Sequence, residues 1–301
     1  MLIGREEPPF DSPDYLYELK LDGVRCLAYL DNIETVLRNK RQMNHTDIFP
    51  ELSQIHKQIK KKCILDGELI VLKGGVPDFS EIQRRSLMSN RFKIELAAKK
   101  LPASFIAFDI LYYDDNQITD LPLIERKKIL AGNIKENDRL AISRYIEENG
   151  TDLYQLTEDK NLEGIVAKPI DSKYYPGERS KTWIKSKNLQ DDDFVVCGYI
   201  QKSEHVTSIV LGQYRGNELV YKGHVTLGLS NSNFQKIHKV PTRKTPAIKY
   251  VPSGSGNDRA IWIRPELVCT VKYMEKTSGG GLRQPVFKGI RSDKLPKECI
   301  E

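Results

Sequence analysis

Apolar and polar positions alternate along most of this chain, so the pattern predicts strands before helices. Residues 15–21, 25–30 and 34–37 are short alternating runs parted by turn residues such as Asp31-Asn32. Residues 63–72 (C-I-L-D-G-E-L-I-V-L) and 104–113 (S-F-I-A-F-D-I-L-Y-Y) are apolar enough for buried strands. Helical spacing replaces alternation at 50–62, where Leu52, Ile55, His56 and Ile59 fall on one face, and at 78–87 and 93–100. Residues 121–130 predict a further helix, with Pro122 early and 126–128 on its polar side. Residues 142–160 mix strand and helix, 162–169 read as a strand, and 174–188 as a loop that becomes one. The Pro-rich opening, R-E-E-P-P-F-D-S-P, reads as an extended surface lead-in.

Beyond the acidic triplet Asp191, Asp192 and Asp193 the pattern is almost all strand: 194–200, 208–215, 218–226 and 267–274. One short helix is expected at 233–240, a hairpin turn at Tyr214-Arg215-Gly216-Asn217 and a long polar loop at 242–259. Many short strands with one helix suggest a small barrel of the oligonucleotide-binding kind. The triplet marks the expected hinge between domains at 1–190 and 191–301.

At 301 residues the chain is long enough for two domains with a sizeable core. No apolar run reaches the length of a membrane span, and the N-terminus lacks a signal-peptide pattern. Five scattered cysteines without a C-x-x-C pair read as core residues in a reducing compartment. Together these predict a soluble intracellular protein. Charge adds a division: residues 191–301 hold 17 Lys and Arg against 11 Asp and Glu, the whole of the +6 excess. A neutral front and a basic back point to a polyanion met by the back half.

The candidate chemistry centres on Y-E-L-K-L-D-G-V-R at 17–25. A lysine attacks phosphorus only as the neutral amine, which near pH 7 takes roughly 4 to 5 kcal/mol of environment. Neighbouring cations and burial are the expected sources. Gly23 permits a tight turn, and Arg25 offers a fork of donors for phosphate or sugar oxygens. The chain then supplies Glu68 in D-G-E, Phe108 in F-D-I, and Glu163 with Lys168 in L-E-G-I-V-A-K. Lys185 and Lys187 in W-I-K-S-K share one strand face by alternation. Taken singly, each has an ordinary structural reading. As a set, two carboxylates, several cations and an aromatic suit a nucleoside triphosphate with a divalent metal.

K-L-D-G-V-R, L-R-N-K, D-G-E, F-D-I-L, E-G-I-V-A-K and W-I-K-S-K, in this order, resemble the motif series of the covalent nucleotidyltransferases. The phrases D-S-K-Y-Y-P-G-E-R-S-K-T-W-I-K-S-K, I-R-P-E-L-V-C-T-V-K-Y and L-R-Q-P-V-F-K-G-I-R-S-D-K resemble the ligase module of bacterial end-joining DNA ligases, the ligase D type. The resemblance implies an α+β fold: an adenylation domain of antiparallel sheets flanked by helices, plus a C-terminal OB-fold barrel. It implies an ATP-dependent DNA ligase that seals 5′-phosphate/3′-hydroxyl nicks or ends through a lysyl-AMP intermediate.

It also implies roles. Lys20 carries the AMP. Glu18 accepts from the adenine amino group, and Phe108 stacks on the base. Arg25 and Arg38 hold ribose, phosphate or the 5′-phosphate of the nick. Glu68 meets ribose or metal, Glu163 binds metal, and Arg179, Lys185 and Lys187 meet the triphosphate. In the barrel, Arg283, Arg291, Asp293 and Lys294 orient the leaving pyrophosphate. The implied cofactors are ATP and Mg²⁺ or Mn²⁺. The implied partners are nicked or broken duplex DNA and a Ku-like end-binding protein, with the chain itself a monomer.

Two features depart from the pattern. Lys40 stands where Gly usually follows Arg38-Asn39, and only 19 residues precede Lys20, which favours ATP over NAD and a minimal core. RNA ligation or GTP-dependent capping remain open, as does a non-catalytic DNA-end-binding module.

Overall fold

The computed structural model describes residues 1–203, 206–226, 228–277 and 279–301. It divides into two compact units, Met1–Asn188 and Leu189–Glu301. In chain order the first unit holds strands β1 (Leu2–Glu6), β2 (Ser12–Leu19), β3 (Val24–Leu30), β4 (Thr35–Asn39), β5 (Cys63–Lys73) and β6 (Val76–Pro77). Helices α1 (Phe79–Ser86) and α2 (Arg91–Lys100) follow, then β7 (Ala103–Tyr113), β8 (Asn116–Gln117) and α3 (Leu123–Asn133). The unit closes with β9 (Leu140–Ile142), β10 (Tyr145–Glu148), α4 (Gly150–Asp159), β11 (Gly164–Pro169) and β12 (Arg179–Lys187).

These strands make two sheets. One runs β1-β12-β11-β2-β10; the other runs β4-β3-β5-β7-β8, with β6 and β9 added at its sides. Alternation gives each sheet two unlike faces. Cys26, Ala28, Leu65, Leu69, Phe105 and Ala107 turn one face of the larger sheet into the main core beneath α1. Leu27, Ile64, Phe108 and Leu111 on its opposite face meet Val166 and Trp183 of the smaller sheet. The smaller sheet's outer face, Tyr17, Ile165, Ala167 and Ile184, packs with Leu153 and Tyr154 of α4. Between the two sheets, therefore, lies a cleft walled by strands.

The second unit holds β13 (Gln190–Ser203), β14 (Val206–Arg215), β15 (Glu218–Val225), α5 (Asn231–His238), β16 (Thr242–Arg243), β17 (Ile261–Ile263), β18 (Val268–Tyr273) and β19 (Val286–Arg291). β13 is long enough to pair with β14 along one edge while its other edge is shared by β18 and β17. Phe194, Val196, Ile209, Leu211, Val271 and Phe287 form this unit's core with Ile237 of α5. All five cysteines are free and buried, as core residues should be. Among the described residues no helix is long and apolar enough to cross a membrane.

Four expectations need correction. Residues 50–62 form no α-helix; short 3-10 turns run Thr46–Ile48, Pro50–Leu52 and Ile55–Gln58. The buried Phe49, Leu52 and Ile55 recur every third residue, which is the 3-10 period. The acidic triplet is no hinge: it lies inside β13, paired residue for residue with β18. The opening is no bare lead-in, since β1 pairs in parallel with β12 ahead of the prolines, and Phe10 packs against Tyr15 and Tyr17. The 126–128 run is not all polar surface either: Arg126 is fully buried on Asp109, and Lys127 is buried as well.

Candidate active site

Register explains how the smaller sheet gathers its charges. Glu18, Val166 and Lys185 are direct neighbours on β2, β11 and β12, so Glu18 and Lys185 share a row on the cleft face. One step on, Gly164 pairs with Lys187 while its carbonyl accepts the backbone N–H of Lys20, just past the end of β2. Lys20, Glu163 and Lys187 are thereby brought to one end of the sheet. Lys20 Nζ lies 2.7 Å from Glu163 Oε1. Burial raises the Glu163 carboxyl above its ordinary value, with Lys20 pulling the other way. Burial lowers Lys187, and the like charge of Lys185 adds to it. Contrary to expectation, the group touching Lys20 is a carboxylate; cations stand further off.

Glycine geometry fixes the turn after the lysine. A Cβ on Gly23 would fall 2.2 Å from the Leu69 carbonyl oxygen of β5, so the close approach that requires glycine is to protein backbone. That approach brings the larger sheet's charged row beside Lys20. Arg25 pairs with Glu68 in register and donates to both Asp66 oxygens, at 2.9 and 2.5 Å. Tyr174 donates to Asp66 at 2.7 Å and stands 3.1 Å from the Arg25 guanidinium. A cavity of about 350 Å³ opens beside this trio. Burial drives the Glu68 carboxyl up to about 8, against the pull of Lys20 and Arg25, and Glu163 and Asp66 push it further.

Further along the cleft face, Glu18 is 1% exposed, and its carboxylate meets two buried ammoniums, Lys127 and Lys168, each at 2.7 Å. Burial works against this carboxylate, but the two lysines outweigh it and its pKa is lowered. Burial lowers Lys168 to about 8, with Glu18 opposing. The Phe108 ring has Lys168 Nζ over it at 4.8 Å and the Arg25 guanidinium at 5.5 Å.

Lys20, Glu18, Arg25, Glu68, Phe108, Glu163, Lys185 and Lys187 thus border one cleft. Arg38 on β4 shares a row with Leu27 and Asp66 on the cleft face, donates to the Gln42 carbonyl and lines a second cavity of about 430 Å³ with Tyr29 and Tyr112. Arg179 is exposed at the far end of β12, six residues and so about 20 Å from Lys185, donating to the Ile3 carbonyl. In the second unit, Asp193 of β13 takes Lys294 at 2.8 Å, Arg291 at 3.3 Å and the Thr270 hydroxyl at 2.6 Å. Arg291 also pairs with Asp293, and Arg283 with Glu275. Sequence reasoning missed Asp66, Lys127, Tyr174 and Asp193. Asp66 and Tyr174 lie inside quoted motif phrases, but nothing in the spacing of E-R-K-K announces that Lys127 turns inward.

Among the described residues no three His, Cys, Asp or Glu side chains cluster into a ready metal cage. Glu68, half-buried, and Glu163, buried, still suit a hard cation that keeps waters and shares phosphate oxygens, since desolvation raises both carboxyls above their ordinary value.

The family described as "ATP dependent DNA ligase domain" matches residues 9–187, and "ATP dependent DNA ligase C terminal region" matches 202–294. The "Multifunctional non-homologous end joining protein LigD" of Pseudomonas aeruginosa is 31% identical over 307 residues, which cover 97% of this chain and 35% of that protein. The protein of the same name from Mycolicibacterium smegmatis is 29% identical, with 97% and 38% covered. The chain thus spans little more than a third of these relatives. The "SPbeta prophage-derived DNA ligase-like protein LigB" of Bacillus subtilis is 29% identical, with 97% and 98% covered. Among solved structures, "mycobacterial DNA ligase D complexed with ATP and MES" matches at TM-score 0.58 and 26% identity, covering 100% of this chain and 97% of that one.

Proposed function

This chain belongs to the ATP-dependent DNA ligases, and from that membership we propose that it seals nicks or ends through AMP carried on Lys20. Its units correspond to the adenylation domain and the C-terminal OB-fold domain of that family, an α+β architecture. The observation that carries the residue assignment is Lys20 Nζ at 2.7 Å from Glu163, at the end of a cleft walled by Glu18, Arg25, Glu68, Lys185 and Lys187.

In this reading the Lys20 ammonium gives its proton to solvent and leaves Glu163. The amine attacks the α-phosphorus of ATP, so an N–P bond forms and the P–O bond to pyrophosphate breaks. Lys185 and Lys187 neutralise charge growing on the phosphoryl oxygens. Arg25, held in one orientation by Asp66 and Tyr174, presents its remaining donors to phosphate or ribose. Glu68 and Glu163 would hold Mg²⁺ or Mn²⁺, which supplies further charge neutralisation on the phosphates. AMP then passes from Lys20 to the 5′-phosphate of a nick, and the adjoining 3′-hydroxyl displaces it. Arg291 and Lys294 serve the triphosphate before the DNA steps, and Arg38, one strand beyond Leu27, and Arg179, at the far end of β12, serve the nucleic acid instead.

The finer reading is end joining of broken duplex DNA with a Ku-like partner, by a monomer in the bacterial cytoplasm. It is supported by likeness to proteins named for non-homologous end joining. Incubation with ATP, divalent metal and a singly nicked duplex should give sealed product with the wild-type chain and none with Lys20→Ala. Sealing by the variant overturns the assignment, and undiminished sealing of an all-RNA nick would favour RNA ligation.

A further inference from the structure

The resemblance gives Glu18 the task of reading the adenine amino group; it gives Lys127 none. Lys127 nonetheless reaches from α3 to the edge of β2, where its ammonium is 2.7 Å from Glu18 and 5.7 Å above the ring of Tyr145, the residue paired with Glu18 on β10. An ammonium with only 2% of its side chain exposed is costly unless its charge is used. Its contact with Glu18 is a buried ion pair. Lys127 and Lys168 both make their closest contact with the same oxygen, Oε1. The other oxygen, Oε2, makes neither of these closest contacts.

We propose that Lys127 is the positioning residue that makes this cleft select a 6-amino purine: together with Lys168 it pins one oxygen of Glu18 and keeps the carboxylate ionised, so that the other acts only as an acceptor. An ionised carboxylate takes a hydrogen bond from an exocyclic amino group and repels the 6-oxo oxygen of hypoxanthine. One lysine alone would balance Glu18 and leave it free to turn. Two converging ammoniums fix its direction, and the surplus positive charge keeps a proton off it. The inference rests on the proposed adenylation of Lys20 and deepens it from reaction to base choice.

The test compares covalent labelling of the full chain by ATP and by inosine triphosphate, each with Mg²⁺. Lys127→Met keeps the apolar stem and removes the charge. The ratio of kcat/KM for ATP to that for inosine triphosphate should fall by about ten- to a hundredfold, the range one charge-assisted hydrogen bond supports. The loss should appear as a higher KM for ATP with kcat little changed, and Lys127→Arg should restore the ratio. If Lys127→Met does not fold, Lys127→Gln, neutral and still polar, reads the same ratio. A ratio unchanged from wild type, or equal losses with both nucleotides, overturns the inference and leaves Lys127 a neutraliser of buried charge. Failure of the wild type to form any adduct with either nucleotide would instead overturn the parent reading.

Discussion

At the scale of single residues the cleft is a set of buried charges that compensate one another unequally. The pair Arg126–Asp109 is fully buried, with both guanidinium contacts at 2.8 to 2.9 Å. Asp109→Ala strands that guanidinium and should cost about 3 to 5 kcal/mol of stability, read by denaturant unfolding. Lys168 shows the opposite balance. Its folded pKa, lowered to about 8, lies below the ordinary 10.5, so between those values the unfolded chain binds more protons than the folded one. Stability therefore gains from this group as pH rises from about 8 to 10.5, by at most about 3 kcal/mol. Thermal melts across that window should show the rise in wild type and lose it in Lys168→Met; an unchanged slope in the variant would place the proton elsewhere. The sequence made most cleft residues legible because each sits in a short motif. Their partners were not, since Tyr174 lies 108 residues from Asp66 and Lys127 lies 109 from Glu18. Only the folded chain brings such pairs together.

At the scale of elements, β13 carries more than its sequence suggests. Three successive aspartates read as a solvated joint, yet Asp193 is tied down by Lys294, Thr270 and Arg291. Burial opposes that carboxylate, but these partners outweigh it and lower its pKa. In the role proposed for them, Arg291 and Lys294 would reach a triphosphate only after leaving Asp193. Asp193→Asn weakens the competing acceptor, so lysine adenylation at low ATP should speed up several-fold while sealing of a pre-adenylated nick stays constant. Slower adenylation would mean that Asp193 presents these cations instead of withholding them. Most strands were legible from alternation, and α1, α2 and α5 from their apolar pattern; the structure adds the caps, since Asp78, Asn90 and Ser230 each accept from the helix's first turn. Residues 50–62 were misread because apolar spacings of three and four overlap, and only packing of Phe49, Leu52 and Ile55 selects the tighter turn. β17 and β19 escaped because each is short and flanked by polar, Gly-bearing segments.

At the scale of the molecule, the proposed division of labour would follow the division of charge. The net-neutral front unit holds the cleft, and the basic excess lies behind residue 190. A basic unit that grips duplex DNA through phosphates loses affinity as salt rises. Binding to a nicked duplex should therefore weaken steeply with salt, whereas covalent labelling of Lys20 by ATP should be far less salt-sensitive. Equal salt dependence of the two would argue that charge does not divide the work this way.

The claim beneath all of this is that Lys20 Nζ becomes covalently joined to the phosphorus of AMP. Mass spectrometry of the protein after incubation with ATP and Mg²⁺, with the peptide carrying the modification identified, tests it directly. The account predicts one adenylyl group on Lys20, lost when pyrophosphate is added back. An unmodified protein, or an adduct on any other residue, contradicts it.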